Sequence, residues 1–192
     1  QQATVQLGKL GVQSIVNSMG VFVSAAFAAV NRIDDFAYMP QQNIAHAMTA
    51  LMAQNKGAKK IDRIKAAFRC GMKIELFYGI FIFFVCFFLA HPLMQLFSND
   101  PVVCKHGVTY LKLISLMYLF PAVTNGVQGY FRGIGDLKIT LISSFVNMSV
   151  RVIFAAVLVF HFSLQIEALP FSYLAGWIGM LLAEVPLLLR KF

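Results

Sequence analysis

The chain has 192 residues, of which 59% are hydrophobic and only 12% charged, where an ordinary soluble domain carries about 25% charged residues. Nineteen of them are Phe, and a water-soluble protein of this composition could not cover its own surface, whereas one solvated by lipid has no such need. The net charge of +8 would suggest a nucleic-acid partner only if the basic residues formed one patch, and their spread along the chain gives them another purpose.

In chain order, residues 1–17 read as the end of a helix, closed by the turn Asn17-Ser18-Met19-Gly20. Residues 21–54 form a stretch long enough for a tilted span, though crowded with polar groups. A third helix is expected over 62–90, ending in the run GIFIFFVCFFLA, and further helices over 102–129, 137–160 and 168–189. Crossing a hydrocarbon core takes about 20 residues of helix, and backbone groups in lipid must be bonded within the segment. The expected fold is all-α and integral to the membrane, with five complete spans and part of a sixth. The chain opens on Gln1 with neither a start methionine nor a signal-peptide pattern, and reads as a piece of a longer protein. Cys70, Cys86 and Cys104 show no C-x-x-C spacing and read as packing residues.

The connections alternate in charge. Residues 55–73 hold Lys56, Lys59, Lys60, Arg63, Lys65, Arg69 and Lys73 against a single Asp62. Arg132 and Lys138 flank a later loop, and Arg190-Lys191 close the chain, whereas the connections between these hold almost no basic residue. Eleven of the sixteen Lys and Arg therefore fall in alternate loops. The positive-inside rule then places loops 55–73 and 130–138 and the C-terminus in the cytoplasm, in a multi-pass protein of the cell membrane. With the charge so explained, the lipid bilayer is the expected partner and nucleic acid is not.

An ionisable side chain inside a bilayer costs at least about 2.5–3.5 kcal/mol on insertion scales, so each needs a reason. At 100° per residue, Ser24, Asn31, Asp35, Tyr38, Gln42, His46 and Thr49 fall on a stripe about 80° wide, with Asp34 near its edge. On one reading the stripe lines a pathway for a small-molecule substrate, and Asp35 or Asp34 binds a coupling cation. On the other, Arg32 pairs locally with Asp35 at i,i+3 and the amides join helices. Pro40 lies in mid-segment and predicts a kink. Other intramembrane groups read more blandly: Glu184 as snorkelling or functional, Glu75 as interfacial, and Asn147 with Arg151 as a helix–helix pair. Asn125 and Gln128 are candidates to face a cavity. No H-E-x-x-H, G-x-S-x-G or phosphate-binding loop occurs, and metal-ligand spacing is absent, so neither an enzyme nor a metal or cofactor is expected.

Three motifs carry a resemblance. The run Gly129-Tyr130-Phe131-Arg132-Gly133-Ile134-Gly135-Asp136-Leu137-Lys138 resembles the G-x-x-R-G-x-G-D-x-K loop of multidrug and toxic compound extrusion (MATE) transporters. Gln54-Asn55-Lys56-Gly57-Ala58 resembles their Q-N-x-G-A loop, and Phe97-Ser98-Asn99-Asp100-Pro101 followed by Tyr110-Leu111 resembles an outer loop and the helix after it. Gly57, Gly133 and Gly135 are expected to permit tight turns. The resemblance implies the C-terminal six-helix lobe of a twelve-helix, internally repeated transporter, with its first helix truncated and the N-terminal lobe of the same chain as partner. It also implies export of amphipathic, often cationic compounds in exchange for Na+ or H+, by rocking of two lobes about a central cavity. Some such transporters carry acids in the seventh and tenth helices, but Val102–Gly129 has none. A lipid-linked oligosaccharide flippase of the same superfamily is the alternative, and a membrane scaffold without transport is the alternative from another class.

Overall fold

The computed structural model describes residues 2–190, with side chains from Val5 onward; Gln1 and Lys191 lie outside the described residues. The chain is helical throughout: α1 (Gln2–Asn17), α2 (Val21–Gly57), α3 (Ile61–Phe88), α4 (Ala90–Gln95), α5 (Pro101–Ser115), α6 (Leu119–Gly133), α7 (Leu137–Phe160) and α8 (Ala168–Leu189). This is the all-α membrane architecture that the composition implies. Among the described residues, α3, α7 and α8 are long and apolar enough to cross a membrane by themselves, and α5 with α6 are so when taken together, with a bend of 52° between them. At 37 residues α2 is longer than a bilayer requires.

The expected helix over 102–129 is thus two helices, and the break has a cause. Pro121 cannot donate to the carbonyl of Met117, and its ring crowds that turn. Around it the chain tightens into i→i−3 bonds, Met117 N to Ile114 O at 2.9 Å, Tyr118 N to Ser115 O at 3.1 Å and Phe120 N to Met117 O at 2.9 Å. At Pro40 the chain does not break in this way, and α2 runs as one helix through it. The helix expected over 62–90 ends at Phe88, and α4 follows after Leu89. Asp100 starts α5 by accepting from Val102 N at 2.7 Å and Val103 N at 3.2 Å, with Pro101 at the first helical position.

Helix α2 lies against α3, α5 and α6, while α1 packs on α7 and α7 on α8. Two apolar clusters fill the interior. One gathers Met48, Met52, Ile64, Val127 and Phe131 near the basic loops; the larger gathers Phe27, Tyr110, Leu111, Tyr118 and Trp177 further along. Outside, Phe77, Phe81, Phe84 and Phe88 form an exposed stripe along α3. In water that surface would drive aggregation, whereas acyl chains solvate it.

The glycines divide their work differently from the expectation. Of Gly57, Gly133 and Gly135, Gly135 is the turn glycine, with φ +78°; Gly135 N bonds Arg132 O at 3.0 Å and Asp136 N bonds Phe131 O at 2.9 Å, which closes α6 as a Schellman motif. At the end of α2 the left-handed position falls on Lys59, φ 57°, not on Gly57. There Lys59 N bonds Lys56 O at 3.0 Å and Lys60 N bonds Asn55 O at 2.9 Å. Gly57 is the last residue of α2, and a Cβ there would meet nothing within 4 Å. Gly133 serves close packing, since a Cβ on it would lie 2.7 Å from Met52 Cβ and 3.0 Å from Thr49 O.

Candidate functional site: a polar cavity walled by five helices

A concavity of about 780 Å³ opens between α1, α2, α6, α7 and α8. Each helix contributes one stripe at helical spacing: Gln6, Lys9 and Gln13 from α1; Thr124, Gln128 and Arg132 from α6; Ser144, Asn147 and Arg151 from α7; Tyr173, Trp177 and Met180 from α8. From α2 come Asn31, Asp34, Asp35, Tyr38, Gln42 and His46, so all six candidates of that helix reach one wall. Asn125 and Gln128 line it too.

Two members of the stripe drawn on α2 have other partners. Ser24 donates to Val16 O at 3.2 Å, and Thr49 donates to Ala45 O at 2.8 Å and Gly129 O at 3.1 Å. Arg32 is exposed and does not line the cavity. The local pair of Arg32 with Asp35 is replaced by an ion pair across helices, Lys9 Nζ to Asp35 Oδ1 at 3.9 Å. Those side chains are 55% and 70% exposed to the open space, so the pair is loose and solvated.

The neighbouring carboxylate is held in the opposite way. Asp34 is buried, at 4% exposure. It accepts a short hydrogen bond from the Tyr118 hydroxyl, which the α5–α6 break delivers to it. Tyr38 packs edge-on against Tyr118, ring centroids 5.6 Å apart. Adjacent acids on one helix thus occupy two environments, one bonded in the core and one open in the cavity.

Arg151 sits with its guanidinium 3.7 Å from the centroid of Tyr173 and 5.8 Å from that of Trp177, a desolvated cation–π arrangement. Asn147 turns to Met180 Sδ at 3.5 Å, so the expected pairing of Asn147 with Arg151 is not made. Glu75 is fully buried on α3 with neither oxygen bonded, rather than interfacial; one turn on, α3 packs closely on α6 at Gly79, where a Cβ would lie 3.2 Å from Ala122 Cβ. Glu184 is also fully buried rather than snorkelling.

The motif residues cluster where α2 ends and where α6 gives way to α7, and Arg132 is the one among them that lines the cavity. Lys56 Nζ, in the last turn of α2, donates to the carbonyl of Ile134 just past α6, which ties the two basic helix ends together. Gln54 O accepts from Ala58 N at 3.1 Å, and Asp136 leads into α7. Lys9, Tyr173 and Trp177 join the site from α1 and α8 and Tyr118 from the α5–α6 break; the polar spacing of Gln6, Lys9 and Gln13 is the sequence signal for the first, and the aromatic residues carry none.

Comparison with known proteins agrees with this architecture. The chain is 25% identical over 175 residues, 89% of its length, to a probable multidrug resistance protein NorM of Thermotoga maritima, and spans 36% of that relative. It is 27% identical over 176 residues, 91% of its length and 36% of the relative's, to the probable multidrug resistance protein YoeA of Bacillus subtilis. In fold it superposes on an outward-facing multidrug resistance MATE family transporter of the MOP superfamily with TM-score 0.92 at 12% identity, covering 99% of this chain and 42% of that one. The chain therefore spans well under half the length of the proteins it matches. A family model, MatE, matches residues 1–157, and this chain belongs to the MatE family.

Proposed function

We propose that this lobe is half of a secondary active exporter of small amphipathic compounds, driven by antiport with Na+ or H+. The observation that carries the reading is the Asp34–Tyr118 pair: a buried carboxylate with a phenolic donor, in the wall of a cavity that four helices line with polar side chains and α8 with aromatic ones. A buried carboxylate is costly to keep charged without a partner, so binding and release of a cation there changes the energy of the lobe itself. Asp34 is assigned to the coupling ion. Asp35, open to the cavity, is assigned to attraction of a cationic cargo, and Tyr173 and Trp177 to its apolar face. The basic loops 55–73 and 130–138 lie in the cytoplasm of a cell-membrane protein, and a preceding N-terminal lobe supplies the other cavity wall.

A second reading, a flippase of lipid-linked oligosaccharides, draws support from Lys9, Arg132 and Arg151, which all reach the wall and suit an anionic group. The two readings separate in one experiment. The full-length protein is reconstituted in liposomes, and efflux of ethidium is followed under an imposed Na+ gradient and an imposed proton gradient in turn. Efflux with either gradient supports the exporter; none with both, alongside translocation of a labelled lipid diphosphate, supports the flippase.

A further inference from the structure

Glu184 has no part in the function assigned above, yet it is 0% exposed near the basic end of α8. Ser143 of α7 donates its hydroxyl to Glu184 Oε1 at 2.5 Å, whereas Oε2 is buried without a hydrogen-bond partner. From α6, Gln128 and the positive charge of Arg132 act on the same carboxyl group. Gln128 also donates to Ser144 Oγ at 3.2 Å, and Gln128, Ser144 and Arg132 all line the cavity. Glu184 therefore lies one side-chain layer behind the wall. It is well separated from Asp34, because Tyr118 and Arg132 stand about 20 Å apart along α6.

The surroundings narrow what Glu184 can bind. Arg132 is the charged group that faces it from α6, and Ser143 is what faces it from α7. Helix α5 meets α8 through Tyr110 and Tyr173, about three turns away. A sodium ion needs several oxygen ligands and would stand beside a guanidinium, whereas a proton needs one oxygen. Oε2 is that oxygen.

We propose that Glu184 is a proton-exchange site of the cavity, distinct from Asp34. When cavity water passes the Gln128–Ser144 layer that covers the carboxyl group in this structure, a hydronium ion gives one H+ to Oε2 and becomes water; the carboxylate becomes a neutral carboxyl group, and the reverse step returns the proton. Loading removes the negative charge that faces Arg132, which leaves an uncompensated positive charge on the wall. Release cancels it. The charge presented to cargo at the basic end of the cavity thus follows the protonation of Glu184, whatever that cargo is.

The test uses the full-length protein in detergent, without cargo, and reads the C=O stretch of titrating carboxyl groups by infrared difference spectroscopy between acid and alkaline buffer. A band lost in Glu184→Gln and kept in Asp34→Asn is the expected result. A spectrum unchanged in Glu184→Gln overturns the proposal. Should that variant fail to fold, Ser143→Ala keeps the carboxyl group and removes its donor; a displaced titration midpoint is then expected, and an undisplaced one overturns the proposal equally. Since no transport is measured, failure of ethidium efflux and failure of this site are separate outcomes.

Discussion

Thr49 of α2 donates its hydroxyl to the backbone carbonyl of Gly129 in α6 at 3.1 Å, along a close-packed seam between the two helices. The glycine makes that approach possible, since a Cβ on it would lie 2.9 Å from Ala45 O. Gly133 repeats the arrangement one turn on. In lipid, where apolar burial gives no preference for helix contact, such small-residue packing and interhelical hydrogen bonds hold helices together. The consequence for function is positional: α2 and α6 carry Asp34 and Tyr118, and this seam fixes one against the other.

Gly129→Ala is therefore expected to force α2 and α6 apart and to lower stability by about 1–3 kcal/mol, as overpacking does elsewhere. Thr49→Val should be milder, about 0.6 kcal/mol, the usual worth of a hydrogen bond between membrane helices. Thermal unfolding of the purified full-length protein measures both. Equal effects, or a larger one for Thr49→Val, would contradict the assignment of the seam to close packing.

The two basic loops make opposite predictions from similar geometry. Lys59 holds a left-handed conformation that disfavours a side chain, so Lys59→Gly should stabilise by about 1 kcal/mol. Gly135→Ala should destabilise by about 1–2 kcal/mol at φ +78°. A fall in melting temperature for Lys59→Gly would count against the turn described for residues 56–60.

Tyr118→Phe removes the donor to Asp34 while leaving the ring in place. Hydrogen bonds to charged groups contribute about 1.5–3 kcal/mol, so the variant should lose stability in that range and lose ion dependence of efflux with it. Melting temperature and efflux under a stepped gradient report the two effects. An unchanged gradient dependence would separate Tyr118 from the coupling carboxylate.

Arg151→Lys keeps the charge but loses the planar stack over Tyr173. If that stack shapes the wall that cargo meets, the loss of about 1–2 kcal/mol should raise the apparent KM for dye by roughly 5–30-fold. The maximal rate should hardly move. A change in rate with KM untouched would place Arg151 in the transport cycle instead of the binding wall.

Much of this was legible in the sequence because lipid imposes period and length. The apolar runs of α3, α7 and α8 and the alternating basic loops follow from hydropathy and charge alone, and the stripe on α2 follows from 100° per residue. What could not be read was set by contacts between helices. Pro40 and Pro121 look alike in sequence, but the chain breaks beside Pro121 and not beside Pro40. Asp34 and Asp35 are adjacent and chemically equal; only the position of Tyr118, carried in by that break, buries one and bonds it. Gly133 and Gly135 share a motif, yet one packs against α2 and the other turns the chain. Burial of Glu75 and Glu184 likewise depends on which helix lies across them, a fact that no single-helix pattern contains.

On the proposed function, Asp34 couples an ion gradient to movement of cargo through this cavity. Asp34→Asn in the full-length protein in liposomes tests this in two ways: dye efflux driven by an imposed ion gradient, and exchange of labelled for unlabelled dye with no gradient. Gradient-driven efflux is expected to be lost while exchange persists, since the cavity remains and only the coupling carboxylate is gone. Gradient-driven efflux at the wild-type rate in Asp34→Asn would contradict it.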